Sequence, residues 1–287
     1  MKTLFIASGP IEWASSRFRC YWPAEHMDAD VVTINNITEN PYDYDAVIFQ
    51  KHGMTTLQRE LIDAGKVVLW DACDPMWWFS PDEVRDIARH ITAVIVPTNA
   101  LAEDWRKWHG DKVPVHVVQD RMKPEHYPLK RQHADVSPVR FIWFGVSVNR
   151  VALAAGWANL ARLAANGHKI ELTVFDNAPG VPLQMGDEFP QYSVPWSLEH
   201  ENEVIANHDI AILPPYPGPW GAMKSNNKAL TAWACGLPVA YGQHYERLEH
   251  IVENAEARAQ AGWAGGMLKE TPATSAHELT EVINEYI

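Results

Sequence analysis

The chain has 287 residues, of which 47% are hydrophobic, and it carries a formal net charge of −12 at pH 7. This length suffices for one large or two small domains that each bury a core, and the acidic balance counts against a protein dominated by contacts to a nucleic-acid backbone. The cysteines Cys20, Cys73 and Cys235 follow no metal-binding spacing and are typical of a reducing cytosol, so we expect a cytoplasmic protein. The first apolar run is too short for a signal peptide, and no segment reaches the ~20 apolar residues of a membrane span.

The first half of the chain alternates short apolar runs with amphipathic segments. The run at residues 46–49 is apolar throughout, as strands covered on both faces are. We predict strands at residues 3–7, 31–34, 45–50, 66–70, 92–96 and 115–118. We predict helices at residues 16–26, 56–64, 81–90 and 99–108. This alternation predicts a doubly wound α/β domain with a parallel sheet.

A polar stretch without hydrophobic periodicity, residues 130–138, separates this half from a second alternation. We therefore predict one domain at residues 1–132 and another at residues 133–287. The second domain has predicted strands at residues 139–144, 170–175, 192–195, 209–213 and 237–241. Its predicted helices lie at residues 149–165, 198–207, 245–261 and 275–286, with one more between Ser225 and Gly236. The sequence thus predicts two α/β domains.

The segment from residue 209 to residue 241 combines a strand, a loop rich in proline and glycine, a helix and a second strand. Open α/β sheets bind ligands at the carboxyl ends of their strands, where this loop and the start of its helix lie. Ser225 is the predicted N-cap of the helix, between Lys224 and Asn226. The N–H groups of such a helix start, with Lys224 beside them, suit a phosphate or diphosphate. A capped surface helix with a solvated lysine is the alternative.

The same segment, DIAILP followed by KSNNKALTAWACGLPV, resembles the donor-binding region of glycosyltransferases with the GT-B fold, in the group called family 4 or group 1. Similarity of lower specificity extends over residues 15–23, 44–51, 67–74, 93–105 and 115–127, in the order and spacing found in such enzymes. The resemblance implies two Rossmann-like, doubly wound domains that face each other across a cleft, the first on the acceptor side and the second binding a nucleotide-sugar donor. Such enzymes usually need no metal ion, so we expect neither a metal nor a cofactor besides the nucleotide-sugar co-substrate.

The resemblance also implies donor-binding residues in the second domain. The turn after the predicted strand at residues 139–144 carries Gly145, Ser147 and Arg150. In the family, the N–H groups of this turn and a basic residue meet the donor diphosphate. Trp196 matches a segment that lies near the nucleotide base. An ordinary βα turn with a solvated Arg150, and a core position for Trp196, are the alternatives.

One departure from the family pattern lies in the donor-binding segment. Many members carry a Glu-x7-Glu motif, whose second glutamate holds donor ribose hydroxyls. Met223 and Thr231 stand at these two positions, and neither is a carboxylate. The departure leaves the donor sugar and the stereochemical outcome open, and it admits a non-catalytic homologue.

Candidate catalytic residues follow the predicted strands of the first domain. Asp71 and Asp74 come after the strand at residues 66–70, where paired carboxylates can hold acceptor hydroxyls or take a proton, although a helix cap explains Asp74 equally well. His52 is a second candidate base, since histidine is the side chain that titrates near neutral pH. Lys224 would stabilise the leaving diphosphate.

These features predict a glycosyltransferase that moves a sugar from a nucleotide-diphosphate sugar to an acceptor hydroxyl, with a saccharide or small molecule as the favoured acceptor. Phage enzymes that glycosylate modified DNA bases share the fold, and a basic run makes DNA an alternative acceptor. This run comprises Arg106, Lys107, Lys112, Arg121, Lys123, Lys130 and Arg131. Arg17 and Arg19 follow the first βα loop, where they either bind a phosphate or lie on a helix surface. A pseudo-glycosyltransferase that binds a nucleotide sugar without turnover, or a sugar-nucleotide epimerase, are further alternatives.

Overall fold

The computed structural model describes residues 1–178, 180, 185–242, 244–266 and 270–287. The chain divides into two compact units. The first unit contains Met1–Met122, Ala222–Asn227 and Glu270–Ile287, and the second contains Lys123–Gly221 and Lys228–Lys269. Among the described residues, no helix is both long enough and apolar enough to cross a membrane.

Six parallel strands form the sheet of the first unit. They are β1 (Thr3–Ala7), β2 (Ala29–Thr33), β3 (Ala46–Gln50), β4 (Val67–Asp71), β5 (Ala93–Val96) and β6 (Val115–Val117). Their order across the sheet is β2-β1-β3-β4-β5-β6, and each pairing between neighbours is parallel. The carboxyl ends of all the strands therefore lie along one side of the sheet, which we term its carboxyl edge. The predicted parallel sheet is confirmed, with strand bounds that shift by one or two residues.

Helices connect these strands. They are α1 (Ala14–Ser16), α2 (Trp22–Ala24), α3 (Thr55–Asp63), α4 (Pro81–Ala88) and α5 (Asn99–His109). A π-helical turn, Arg17–Tyr21, joins α1 to α2, so one helical segment of mixed geometry stands where a single helix is predicted. Arg17 and Arg19 are both buried, as are Phe18 and Cys20 of the same turn, so packing surrounds this segment on all sides.

Alternate strand residues enter two cores, one on each face of the sheet. Val47 and Phe49 of β3 belong to one core, whereas Ala46 and Ile48 belong to the other. All four side chains are fully buried. A strand has a side-chain period of two, so burial of every residue requires cover on both faces, as in a doubly wound fold.

Five parallel strands form the sheet of the second unit. They are β7 (Val139–Gly145), β8 (Ile170–Asp176), β9 (Gln191–Pro195), β10 (Ile210–Ile212) and β11 (Val239–Ala240). The order across the sheet is β11-β10-β7-β8-β9, again with parallel pairings. β7 is the central strand, so its carboxyl end lies between the carboxyl ends of β10 and β8. The second predicted α/β domain is confirmed.

The helices of the second unit follow the predicted order with three differences, the first being a short helix, Pro219–Met223, inside the predicted loop rich in proline and glycine. They are α6 (Ala154–Ala165), α7 (Glu201–Ala206), α8 (Pro219–Met223, which extends into the first unit), α9 (Asn227–Ala234), α10 (Tyr245–Glu253) and α11 (Ala255–Gly266). A 3₁₀-helix, Ser147–Leu153, precedes α6 where an α-helix is predicted. The helix predicted at residues 245–261 is broken at Asn254, whose backbone is extended and whose side chain caps α11 by accepting from the N–H of Ala257.

The last helix, α12 (Pro272–Asn284), belongs to the first unit, although its sequence position places it in the predicted second domain. Its Leu279, Val282 and Ile283 lie in the same core as Phe5 of β1. The unit boundary also falls after Met122, ahead of the predicted boundary at residue 132. The apolar face of α12 explains why this helix belongs to the first unit, because burial against the first sheet removes Leu279, Val282 and Ile283 from water.

Candidate functional site

The carboxyl edge of the second sheet brings a glycine turn and a lysine together. β7 ends at Gly145, whose φ of 150° lies in a region that favours glycine. A Cβ added to Gly145 would lie 3.4 Å from Nζ of Lys228, a residue in the first turn of α9. The same ammonium group lies 5.3 Å from the centroid of the Trp143 ring. A cation thus faces the turn, at the place where open α/β sheets bind ligands.

The turn at residues 145–150 is held by groups at the end of β8. Nη2 of Arg150 donates to Oδ1 of Asp176 at 2.8 Å, and its Nε pairs with the other carboxylate oxygen. Asp176 is the last residue of β8 and is fully buried. The N–H of Ser147 donates to Oδ1 of Asn177 at 2.8 Å. Arg150 therefore braces the ends of β7 and β8, and its contact with a donor phosphate stays a prediction.

The predicted phosphate residues Lys224 and Ser225 lie in the first unit, where they contact carboxylates. Nζ of Lys224 lies 2.6 Å from Oδ1 of Asp74. The hydroxyl of Ser225 donates to Oδ2 of Asp120 at 2.5 Å. A phosphate that binds Lys224 would have to compete with the Asp74 carboxylate, so Lys224 is a poorer phosphate ligand than its sequence position predicts.

The start of α9 differs from the predicted helix start. The helix begins at Asn227, so its N-cap position falls on the exposed Asn226. Ser225, the predicted N-cap, lies one residue too early and uses its hydroxyl elsewhere. Asparagine is as good an N-cap as serine, which is why the sequence alone does not separate the two.

Of the two positions that depart from the family motif, one is closed to ligands. Thr231 is only 3% exposed within α9, so its own side chain is not open to a ligand. Met223 lies in the first unit, and its carbonyl accepts a hydrogen bond from Oγ1 of Thr98 at 3.0 Å. In this chain neither position presents a carboxylate to a donor.

At the carboxyl edge of the first sheet, a buried arginine joins two carboxylates. Nε of Arg19 lies 2.9 Å from Oδ2 of Asp71, and its Nη1 lies 3.2 Å from Oδ1 of Asp120. Burial raises the pKa of Asp71, and the guanidinium of Arg19 opposes that shift. Asp71 is 1% exposed and both of its oxygens accept from Arg19, so its carboxylate belongs to a buried ion pair and its part in catalysis stays a prediction. The helix-surface alternative for Arg19 is wrong, since its side chain is buried and pairs with Asp71 and Asp120.

The second predicted carboxylate, Asp74, lies three residues beyond β4 and is bound by two lysines. Nζ of Lys224 lies 2.6 Å from one carboxylate oxygen and Nζ of Lys51 lies 3.5 Å from the other. Burial lowers the pKa of Lys51, but the neighbouring Cys73 and Asp74 outweigh burial and raise it above its ordinary value. Lys51 also has a left-handed φ of 62°, which is uncommon for residues other than glycine and clusters at functional sites. His52 follows it directly and is exposed.

Trp196 is fixed by a buried carboxylate. Its Nε1 donates to Oε1 of Glu201 at 3.0 Å, while Oε2 of Glu201 accepts from the hydroxyl of Tyr127 at 2.5 Å. The N–H of Trp196 donates to the carbonyl of Asp176 at 2.8 Å, directly after β9. The half-buried indole therefore has a fixed position near the carboxyl edge, and its contact with a nucleotide base stays a prediction.

Several members of the basic run that raised the prospect of a DNA contact have partners within their own unit. Arg121 is 6% exposed and pairs with Glu278 at 2.7 Å. Lys130 donates to backbone carbonyls, and Arg131 pairs with the fully buried Asp209. Three of the seven cations are thus used within their own units, which leaves a broken distribution of charge for a phosphate backbone.

The sequence places Lys228 one helical turn after Lys224, so that both can reach the same side, and in the structure the approach to Gly145 distinguishes Lys228. One further feature of these edges was not predicted. Exposed aromatic rings also follow two strands of the first sheet: Trp13 after β1, and Trp78 and Phe79 after β4. The run MWWF, five residues beyond a predicted strand, is the signal that identifies the second pair.

No family model and no curated protein matches the chain. Solved structures do match it over nearly its full length. HepE from Anabaena, in complex with UDP and glucose, has 12% identity and a TM-score of 0.63, with 99% of each chain covered. Sucrose-phosphate synthase from Thermosynechococcus elongatus has 10% identity and a TM-score of 0.66, with 99% of this chain and 98% of that chain covered. An alpha-glucosyltransferase in complex with UDP and a 13-mer DNA containing an HMU base has 10% identity and a TM-score of 0.65, with 99% of each chain covered.

At sequence identities this low, the matches show a shared fold and do not show a shared activity. The matches extend over both units, and each unit has the doubly wound parallel sheet expected from the sequence. The chain therefore has the GT-B type of fold, with two Rossmann-like α/β domains.

Proposed function

We propose that the protein is a glycosyltransferase that moves a sugar from a nucleotide-diphosphate sugar to an acceptor hydroxyl. One observation carries the proposal: a lysine ammonium faces a glycine turn at the carboxyl edge of the second sheet. The fold in which this occurs matches solved structures that hold UDP. The donor base and the sugar are left to experiment, because fold likeness does not specify them.

The chemistry of transfer suits a cation at this edge. The bond between the anomeric carbon and the diphosphate oxygen breaks, and the leaving diphosphate gains negative charge. In this proposal Lys228 and the amino end of α9 stabilise that charge, and the approach of Lys228 to Gly145 supports the assignment. In this proposal they take the part that a metal ion has in other transferases, so transfer proceeds without a metal.

The first unit supplies the acceptor side in this proposal. The anomeric carbon forms its new bond to the acceptor oxygen, and the acceptor proton passes to a base. We assign the base to His52, which is exposed beyond β3. Two lysines already bind the Asp74 carboxylate, which makes it a weak base, so we assign Asp74 to holding acceptor hydroxyls. Exposed rings at the same edge, Trp13 and Trp78, offer flat surfaces against which an acceptor sugar or base can stack.

A pseudo-glycosyltransferase is the second candidate, and a specific observation favours it. Thr231 replaces the glutamate that holds ribose in the family that the chain resembles, and it is buried. Such a protein would bind a nucleotide sugar and leave it intact. A DNA acceptor is supported only by the alpha-glucosyltransferase solved with DNA, since the basic run of this chain is broken.

The donor site is tested by titrating UDP, GDP, ADP and their sugars into wild type and Lys228→Gln, with calorimetry as the readout. We expect one base to bind selectively and Lys228→Gln to raise its Kd about 10- to 100-fold, because a hydrogen bond to a charged group contributes about 1.5–3 kcal/mol. Lys169→Gln is the matched control, since Lys169 is exposed before the other end of β8. Lys224→Gln should have a smaller effect, because Asp74 already neutralises Lys224.

Turnover separates the two candidates. Release of free nucleotide from the selected donor, faster with an acceptor and slowed in His52→Gln, supports a transferase. Selective binding without any release identifies a pseudo-glycosyltransferase. If no nucleotide binds to wild type, the donor site proposed at Gly145 and Lys228 does not exist.

A further inference from the structure

Three metal-ligating side chains meet at the amino edge of the second sheet, away from the proposed donor site. His168 lies in the turn after α6, two residues before β8 begins. Glu249 and Glu253 are one turn apart on α10. Nε2 of His168 lies 3.4 Å from Oε1 of Glu249 and 3.8 Å from Oε1 of Glu253. The three ligand atoms all lie within 4.8 Å of one another.

These separations suit a small tetrahedral ion. A Zn²⁺ ion with nitrogen and oxygen ligands at about 2.0–2.2 Å holds neighbouring ligand atoms roughly 3.3–3.6 Å apart. One imidazole and two carboxylates form a mixed donor set that first-row transition metals accept, whereas Mg²⁺ and Ca²⁺ prefer oxygen ligands alone. We propose that His168, Glu249 and Glu253 bind one Zn²⁺ ion, with a water molecule as the fourth ligand.

Surrounding residues hold one of these carboxylates in position. The hydroxyl of Tyr245 donates to Oε1 of Glu249 at 2.7 Å, and the side-chain amide of Asn166 donates to the same hydroxyl at 2.7 Å. The guanidinium of Arg162 lies 3.7 Å from the centroid of the Tyr245 ring and fixes that ring in turn. Hydrogen-bonded support of this kind behind a ligand is a regular feature of metal sites, and a chance ion pair does not require it.

The site is accessible from solvent. His168 and Glu253 line a groove of about 380 Å³, so an ion can enter and a water molecule can occupy the open position. Bound there, the ion would fasten α10 to the turn between α6 and β8. β8 runs over seven residues from this edge to Asp176, a rise of about 20 Å, so the ion takes no part in transfer chemistry. Its role in this proposal is to stabilise the second unit.

The test uses the full chain after treatment with a chelator, and Zn²⁺ alone as the probe. Calorimetric titration of wild type should show tight binding of about one ion, and the same addition should raise the Tm because the ion binds the native state. Glu253→Gln and His168→Gln should each weaken this binding at least tenfold. Tyr245→Phe, which removes only the support for Glu249, should weaken it about tenfold. Glu246→Gln is the matched control, being an exposed glutamate one turn earlier on α10.

The chain has thirteen histidines, so binding of Zn²⁺ by itself does not locate the site. The site is located by comparing the Zn²⁺ affinity of the ligand variants with that of the Glu246→Gln control. If wild type binds no Zn²⁺, or if Glu253→Gln and His168→Gln bind it as wild type does, the three residues form only an ion pair and the proposal is wrong. Glu253 is 60% exposed, so its variant will fold and the comparison can be made.

Discussion

The buried Arg19 offers a sharp test of how the first unit is stabilised. Replacing it with methionine preserves much of the side-chain volume but leaves the carboxylates of Asp71 and Asp120 without their shared guanidinium. The side chains of all three residues are at most 5% exposed, so water cannot take the place of the lost partner. Removing one member of a buried ion pair typically costs about 3–5 kcal/mol, because it leaves an uncompensated charge.

Two carboxylates lose their cation at once and keep, among the described residues, only the Ser225 hydroxyl and the Cys73 thiol as donors, so Arg19→Met should fall within that range, which is a large fraction of the ~5–15 kcal/mol by which a typical domain is stable. Arg19→Lys keeps the charge but cannot contact both carboxylates in the planar geometry of a guanidinium, so an intermediate loss is expected. In Arg19→Met the carboxyl of Asp71 should take up a proton more readily in the folded state. The deficit relative to wild type should therefore shrink as the pH falls from about 7 to about 5.

Urea unfolding followed by tryptophan fluorescence measures these differences, since Trp22 and Trp70 are buried in the first unit. The control is Arg59→Met, which removes an exposed arginine from α3 and should change the free energy of unfolding by less than about 0.5 kcal/mol. A loss below about 1 kcal/mol for Arg19→Met would refute the reasoning. It would mean that the two carboxylates find other partners or become protonated at little cost.

Three further predictions concern α12, α9 and a buried histidine. Leu279→Ala should destabilise the first unit by about 2–5 kcal/mol, because it opens a cavity where α12 meets the sheet, and urea unfolding measures this. An unchanged stability would show that α12 does not belong to that core. Thr231→Glu should lower the free energy of unfolding by at least about 2 kcal/mol and fail to improve nucleotide binding, because the position is buried. A more stable variant with tighter donor binding would contradict this. The imidazole of His208 contacts Thr173 and the Val204 carbonyl, and burial lowers its pKa. The stability that the neutral imidazole provides is therefore fully present above the unfolded pKa of about 6.5. It is lost as the pH falls below about 6.5 toward the lowered pKa of the folded state. Unfolding measured at about pH 7.5 and about pH 5.5 should show this decline, with a shallower slope in His208→Asn; an equal slope in the variant would assign the decline to other groups.

The sequence alone predicts much of the fold, because strand and helix signals are local. The apolar run of β3 and the alternation around it predict a doubly wound sheet, and the strands fall within two residues of their predicted bounds in the first unit. The helix break at Asn254 and the 3₁₀-helix at Ser147–Leu153 are missed, since cap geometry and helix type depend on a few hydrogen bonds that hydrophobic periodicity does not report.

The candidate site is predicted less well, because the role of a charged side chain depends on its partners. Arg150, Lys224 and Asp71 all lie at strand ends or helix starts as expected, yet each is matched by an opposite charge. Lys228 has no stronger signal in the sequence than Lys224 has. Its approach to Gly145 depends on how α9 packs beside β7, and residues 83 positions apart in the chain carry no local pattern that reports such a contact.

By itself, therefore, the sequence determined two α/β domains, the order of their elements and the edges at which ligands can bind, because side-chain period and turn residues act over a few neighbouring positions. Tertiary structure alone decided that α12 returns to the first sheet, that Arg19 is buried between Asp71 and Asp120, and that the basic run is dispersed. These outcomes depend on which distant segments lie side by side. Burial and charge pairing are set by that arrangement, and they decide the role that each charged side chain can take.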